Sequence, residues 1–105
     1  MPNLNTLTLR QALDGLKEKS FSLDELYAAT TDAIEKDNKA LNIYLTLDDE
    51  ALKKAEQVEK LPLMGVPVAV KDNFSTKDMR TTASSKVLDS FVPQFDSTVT
   101  RKLKE

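Results

Sequence analysis

Leu61-Pro62-Leu63-Met64-Gly65-Val66-Pro67-Val68-Ala69-Val70-Lys71-Asp72-Asn73 is the stretch on which the fold of this chain turns. Its first pair, Leu61-Pro62, disfavours helix at residue 61. Gly65 marks a turn ahead of an apolar run. Pro67 has no N–H to give a ladder, so it belongs near the start of a strand or at an edge. Val68 to Val70 then read as the buried part of a strand, and short apolar runs of this kind fit a sheet covered on both faces. The strand ends in Lys71. A lysine there has two readings: a stem that leaves the core and delivers its ammonium to water, or a partly desolvated amine at the rim of a core, positioned to act as a base.

Upstream of this stretch the grammar is helical. Thr8-Leu9-Arg10-Gln11 fits a capping box, and Leu9, Ala12, Leu13 and Leu16 form one apolar stripe. Ser22-Leu23-Asp24-Glu25 is a second capping box, with Phe21 and Leu26 at the staple positions. Leu23, Leu26, Tyr27, Thr30 and Ile34 continue one face to about Lys36, where Asp37-Asn38 breaks the pattern. Leu41 to Leu47 alternates apolar and semi-polar residues, the period of a half-buried strand. A third helix is expected after Asp48 or Asp49, with Ala51, Leu52, Ala55 and Val58 inward and Glu50, Lys53, Lys54, Glu56 and Glu59 on a solvated face.

Downstream, Arg80-Thr81-Thr82-Ala83-Ser84-Ser85 reads as a turn and an N-cap for a short helix carrying Val87 and Leu88. Phe91-Val92-Pro93 is an extended exit, and Asp96 opens a last helix with Val99 and Leu103 inward. That helix reaches Glu105 with no Gly, Asn or Pro stop, so the chain reads as the N-terminal part of a larger protein. The expected organisation is a helical region over 1–60 and, over 61–105, the start of a core that continues elsewhere.

Composition narrows the chemistry. The 105 residues are 40% hydrophobic and 30% charged, which suits one small globular domain. The net charge of -2 argues against a free-standing nucleic-acid binder. Nothing at the N-terminus, Met1-Pro2-Asn3-Leu4-Asn5, suggests export. There is no cysteine and no histidine, which excludes disulfides, a cysteine nucleophile, a His-dependent triad and the usual zinc sites. Acid–base work falls to lysine, carboxylates, tyrosine or serine.

Three blocks stand in order: P-L-M-G-V-P-V-A-V-K-D-N at 62–73, R-T-T-A-S-S-K-V-L at 80–88 and F-V-P-Q-F-D-S-T-V at 91–99. Together they resemble the amidase signature family. Within it, with A-I-E-K-D-N-K-A-L-N-I-Y-L at 33–45, they look most like the glutamine-hydrolysing subunit of the tRNA-dependent amidotransferases. The resemblance implies an α/β fold, with N-terminal helices packed on part of a mixed β-sheet. It also implies a Ser–cis-Ser–Lys catalytic unit in which the lysine of the K-D-N block is Lys71. Neutral Lys71 would take a proton through the bridging serine while the nucleophilic serine attacks the glutamine amide and releases ammonia. Asp72, Asn73, Thr81 and Thr82 are candidates for holding the loop around that lysine.

The chain departs from the family in one respect. Both family serines lie in a Gly/Ser-rich segment, and this chain has only Gly15 and Gly65. Ser84 and Ser85 match the family's T-T-x-x-S block, not the nucleophile. The resemblance implies glutamine as substrate, the B and C subunits of the complex as partners and tRNA reached only through that complex. ATP and Mg would be used by a partner subunit, with no cofactor or metal bound by this chain, in the cytoplasm or an organellar matrix. The 105 residues alone are then expected to be inactive. Another amidase-signature hydrolase of small amides and a non-catalytic helical interaction domain stand as alternatives.

Overall fold

The computed structural model describes residues 3–105; Met1 and Pro2, where the reading of the N-terminus begins, lie outside the described residues. The chain divides into two compact units, Met1–Pro67 and Val68–Glu105.

In the first unit a 3₁₀ turn at Leu4–Thr6 precedes three helices: α1 (Leu9–Lys17), α2 (Leu23–Leu41) and α3 (Ala51–Glu56). Both expected capping boxes form. The Thr8 hydroxyl accepts the Gln11 N–H and the Gln11 side chain accepts the Thr8 N–H; Ser22 and Glu25 do the same for α2. Each exchange satisfies amides that a helix start leaves free. α1 ends in a Schellman arrangement, with Lys19 N–H on the Leu16 carbonyl and Ser20 N–H on that of Gly15. Lys19 takes the left-handed conformation there, at φ 57°.

Ala12 and Gly15 of α1, Leu23 and Leu26 of α2 and Ala55 of α3 are buried. Gly15 is a packing position, because a Cβ there would lie 2.2 Å from the Phe21 ring. After α3 the chain turns back at Gly65, whose φ is +78° and whose missing Cβ would lie 2.8 Å from the Ala55 carbonyl oxygen. The Tyr27 hydroxyl of α2 donates to the Gly65 carbonyl at 2.8 Å. One glycine thus joins α2, α3 and the returning chain.

The second unit has little regular structure: a 3₁₀ turn at Lys86–Leu88 and α4 (Thr98–Lys104). Its buried residues are Thr81, Thr82, Pro93 and Thr100, three of them hydroxylated. Thr100 is 2% exposed and shares hydrogen bonds with Ser97 Oγ at 2.9 Å and Thr76 Oγ1 at 3.5 Å.

Several expectations are corrected. The α/β fold with helices packed on part of a mixed β-sheet is not found; the described residues contain helices and no strand. Residues 66–70 form no regular element: a strand exists only when paired, and no described segment pairs with them. Val68 is accordingly 49% exposed and Val70 37%. Residues 42–47 form no strand either. Their alternation is real but inverted, with Tyr44 and Thr46 half-buried and Ile43, Leu45 and Leu47 turned to solvent.

α2 runs past Asp37-Asn38 to Leu41 and stops at Asn42, which is left-handed at φ 51°. The Asn38 side chain explains the stop: it accepts the Tyr44 N–H at 2.7 Å and donates to the Tyr44 carbonyl at 3.1 Å, folding the chain back over the helix end. α4 is capped by Ser97, not by Asp96. Thr100 rather than Val99 or Leu103 points inward, those two being 42% and 37% exposed.

Candidate functional site

Lys71 lies in the second unit, at the end of the apolar run, and is exposed. The partial burial expected of it is therefore absent in this chain. Its carbonyl accepts the Phe74 N–H at 3.0 Å, which closes a turn through Asp72 and Asn73. Asn73 sits exposed within that turn.

Asp72 is held from several directions. Its Oδ1 accepts the Thr82 N–H at 2.9 Å, and its Oδ2 accepts the Thr82 hydroxyl. Its main-chain carbonyl accepts the Ala83 N–H at 2.8 Å. Burial acts to raise the Asp72 pKa. The opposing effects are larger together: the Thr82 hydroxyl and N–H, the Arg80 charge and the Ser84 N–H bring the carboxyl below the usual aspartate value.

The partner of this carboxylate is a tight turn. The Ser85 N–H donates to the Thr82 carbonyl at 2.9 Å, and the two central residues, Ala83 and Ser84, have φ of 48° and 59°. Two successive left-handed residues define a type I′ turn, which Asn and Gly ordinarily occupy. Ala83 and Ser84 hold it at a conformational cost, and the Asp72 bonds offset that cost.

Further hydrogen bonds join the rest of the unit. Thr81 N–H donates to the Phe91 carbonyl at 3.0 Å, and Asp78 N–H to that of Pro93 at 3.0 Å. Ser97 N–H donates to the Ser75 carbonyl at 2.7 Å. Asp96 Oδ1 accepts the Lys77 N–H at 2.8 Å, and both its oxygens accept from Lys104 Nζ at 2.9 Å. Arg80 binds the carbonyl and the carboxylate of Asp89. The Thr81–Phe91 bond joins the second and third blocks on which the family resemblance rests, and the Asp72–Thr82 bonds join the second to the end of the first.

Of the candidate loop residues, Thr82 meets the chain beside Lys71 directly. Thr81 holds a different turn, with its hydroxyl donating to the Met79 carbonyl at 3.1 Å. Ser84 is exposed and Ser85 half-buried. The left-handed pair at Ala83-Ser84 has no sequence signal, because neither Asn nor Gly, the residues that usually mark such a turn, stands there. Among the described residues no group of three or more Asp, Glu, His or Cys is placed to hold a metal ion. No described helix is long and apolar enough to cross a membrane.

The sequence model of the family described as Amidase matches residues 25–105. The A subunit of glutamyl-tRNA(Gln) amidotransferase from Methylorubrum populi is 45% identical over 111 aligned residues, covering 98% of this chain and 22% of the relative. The protein of the same name from Pelagibacter ubique is 42% identical over 109 residues, again covering 98% of this chain and 22% of the relative. That from Natranaerobius thermophilus is 39% identical over 111 residues, covering 97% and 23%. The chain thus spans about a fifth of the length of the curated relatives it matches.

Proposed function

The chain belongs to the amidase family, and on that premise we propose that it is the N-terminal part of the glutamine-hydrolysing component of a tRNA-dependent amidotransferase, with Lys71 as the general base. The observation that carries this reading is similarity over 94–98% of the chain to proteins of one name, the A subunit of glutamyl-tRNA(Gln) amidotransferase. The K-D-N block that supplies Lys71 lies within the matched residues.

In this reading the neutral Lys71 amine accepts a proton relayed by a bridging serine from the nucleophilic serine, and both serines belong to sequence outside these 105 residues. The serine attacks the side-chain carbonyl of glutamine, the C–N bond breaks, and the nitrogen leaves as ammonia. Water then releases glutamate from the acyl-enzyme. Ammonia passes to a partner subunit, where ATP and magnesium activate the misacylated tRNA, Glu-tRNA(Gln) or Asp-tRNA(Asn). The B and C subunits are the partners, tRNA is reached through the complex, and the compartment is the cytoplasm or an organellar matrix.

A chimera tests the reading. Residues 1–105 replace the matching segment of the Methylorubrum populi relative, and the complex is assayed for Gln-tRNA(Gln) formation from Glu-tRNA(Gln). Lys71→Ala is expected to lower the glutamine-driven rate by about a thousandfold or more. Ammonium salts should restore turnover, because they bypass amide cleavage. A near-wild-type glutamine-driven rate for Lys71→Ala would return the lysine to an ordinary solvent contact. The 105-residue chain alone should release no ammonia from glutamine, and measurable release would refute the assignment of the nucleophile to sequence outside it.

A further inference from the structure

Among the described residues, the hydrogen bonds that hold the main chain around Lys71 lie on its C-terminal side. The Lys71 carbonyl is bound by Phe74 N–H at 3.0 Å, and the next residue is bound through both its carboxylate and its carbonyl to Thr82 and Ala83. Before it, Val68 to Val70 carry no regular secondary structure and are exposed. The lysine stem therefore takes its direction from the Asp72–Thr82 junction.

We propose that Asp72 and Thr82 form a clamp that positions Lys71, with the Asp72 carboxylate binding the main-chain N–H and hydroxyl of Thr82 so that the lysine leaves a fixed backbone. The inference rests on the reading of Lys71 as base and adds which residues aim it. Neither clamp residue touches substrate. Asp72 is too fully engaged by Thr82 to move a proton for the reaction, and Thr82 is buried. Thr81, although also buried, is excluded because its hydroxyl serves the Met79 turn.

A flexible amine must be held near one geometry, and a displacement of about 1 Å can cost about a hundredfold in rate. The test uses the chimeric complex described above with Thr82→Val, Thr82→Ser and Asp72→Asn. Thr82→Val keeps the shape and loses the hydroxyl; it is expected to lower kcat by about tenfold to a hundredfold, with KM for glutamine unchanged. Thr82→Ser keeps the hydroxyl and should restore most of kcat. The double variant Thr82→Val/Asp72→Asn should be little worse than either alone, because both remove one junction.

In the 105-residue chain, Asp72→Asn should speed amide hydrogen exchange at Thr82 by about tenfold or more, as expected for loss of a charged acceptor. That measurement stands even if a variant complex fails to assemble. Unchanged kcat in Thr82→Val, with Lys71→Ala inactive, would overturn the clamp and leave the base in place. Unchanged exchange at Thr82 would overturn it as well. Full activity in Lys71→Ala would instead remove the reading on which the clamp rests.

Discussion

Replacing Gly65 by alanine loads two separate costs onto one methyl group. Gly65 has φ +78°, a region in which an L-residue costs about 1–2 kcal/mol. The new Cβ would also lie 2.8 Å from the Ala55 carbonyl oxygen and 3.0 Å from the Ala55 Cβ. Neither neighbour is the far end of a flexible side chain, so the backbone itself must give way. Ala55 is buried at the end of α3. Movement at Gly65 also shifts the carbonyl that receives the Tyr27 hydroxyl, a bond whose net worth is about 0.5–1.5 kcal/mol. Together these give a loss of about 2–4 kcal/mol, a large share of the ~5–15 kcal/mol that stabilises a typical domain. For a unit of this size each kcal/mol moves the midpoint by about 4–8 °C, so the helical signal should melt at least 8 °C lower. Urea titration followed by far-ultraviolet circular dichroism measures the change, with Tyr27→Phe as the reference that removes the hydrogen bond alone. A Gly65→Ala variant within about 0.5 kcal/mol of wild type would refute the reasoning: the left-handed turn would then not hold α2, α3 and the returning chain together.

Gly15→Ala sets a helix-propensity gain of about 1 kcal/mol against a Cβ 2.2 Å from the Phe21 ring. Crowding should win, and a more stable variant in urea would show that the ring moves freely. Ser22→Ala removes the hydroxyl half of the α2 capping box and should cost about 1 kcal/mol, read as a lower urea midpoint at unchanged slope. Asp72 and Asp96 both titrate below the usual aspartate value of about 3.9. A depressed folded-state pKa gives stability that is full above the unfolded value and is lost as pH falls through the folded one. Stability should therefore decline below about pH 4, and Asp72→Asn should flatten that acid limb; an unchanged limb would count against the Thr82 bonds.

The sequence is informative where structure is local. Thr8-x-x-Gln11 and Ser22-x-x-Glu25 specify two helix starts because each box closes within four residues. It misleads where the outcome depends on distant partners. Val66 to Val70 carries the composition of a buried strand, yet pairing belongs to two segments, and no described segment supplies the second. Residues 42–47 keep a period of two, but the side-chain bonds from Asn38 to Tyr44 decide which face turns inward. At the candidate site the ordered blocks mark Lys71 and its neighbours. The blocks do not reveal that Asp72 reaches ten positions ahead to Thr82, since that contact depends on two left-handed residues with no glycine to announce them.

The hydroxyl-rich interior of the second unit also bears on how that unit responds to temperature. Exposing apolar surface raises the heat capacity of unfolding, and exposing polar surface lowers it. A region whose buried residues are Thr81, Thr82, Thr100 and Pro93 should therefore open with a small heat-capacity change. Its stability curve is then shallow, losing strength only gradually on cooling or warming, whereas the leucine-lined helices of residues 1–67 follow a more strongly curved one. Residues 68–105 also contain no tyrosine and no tryptophan. Their opening is silent in tyrosine emission, which reports only from Tyr27 and Tyr44 in the first unit.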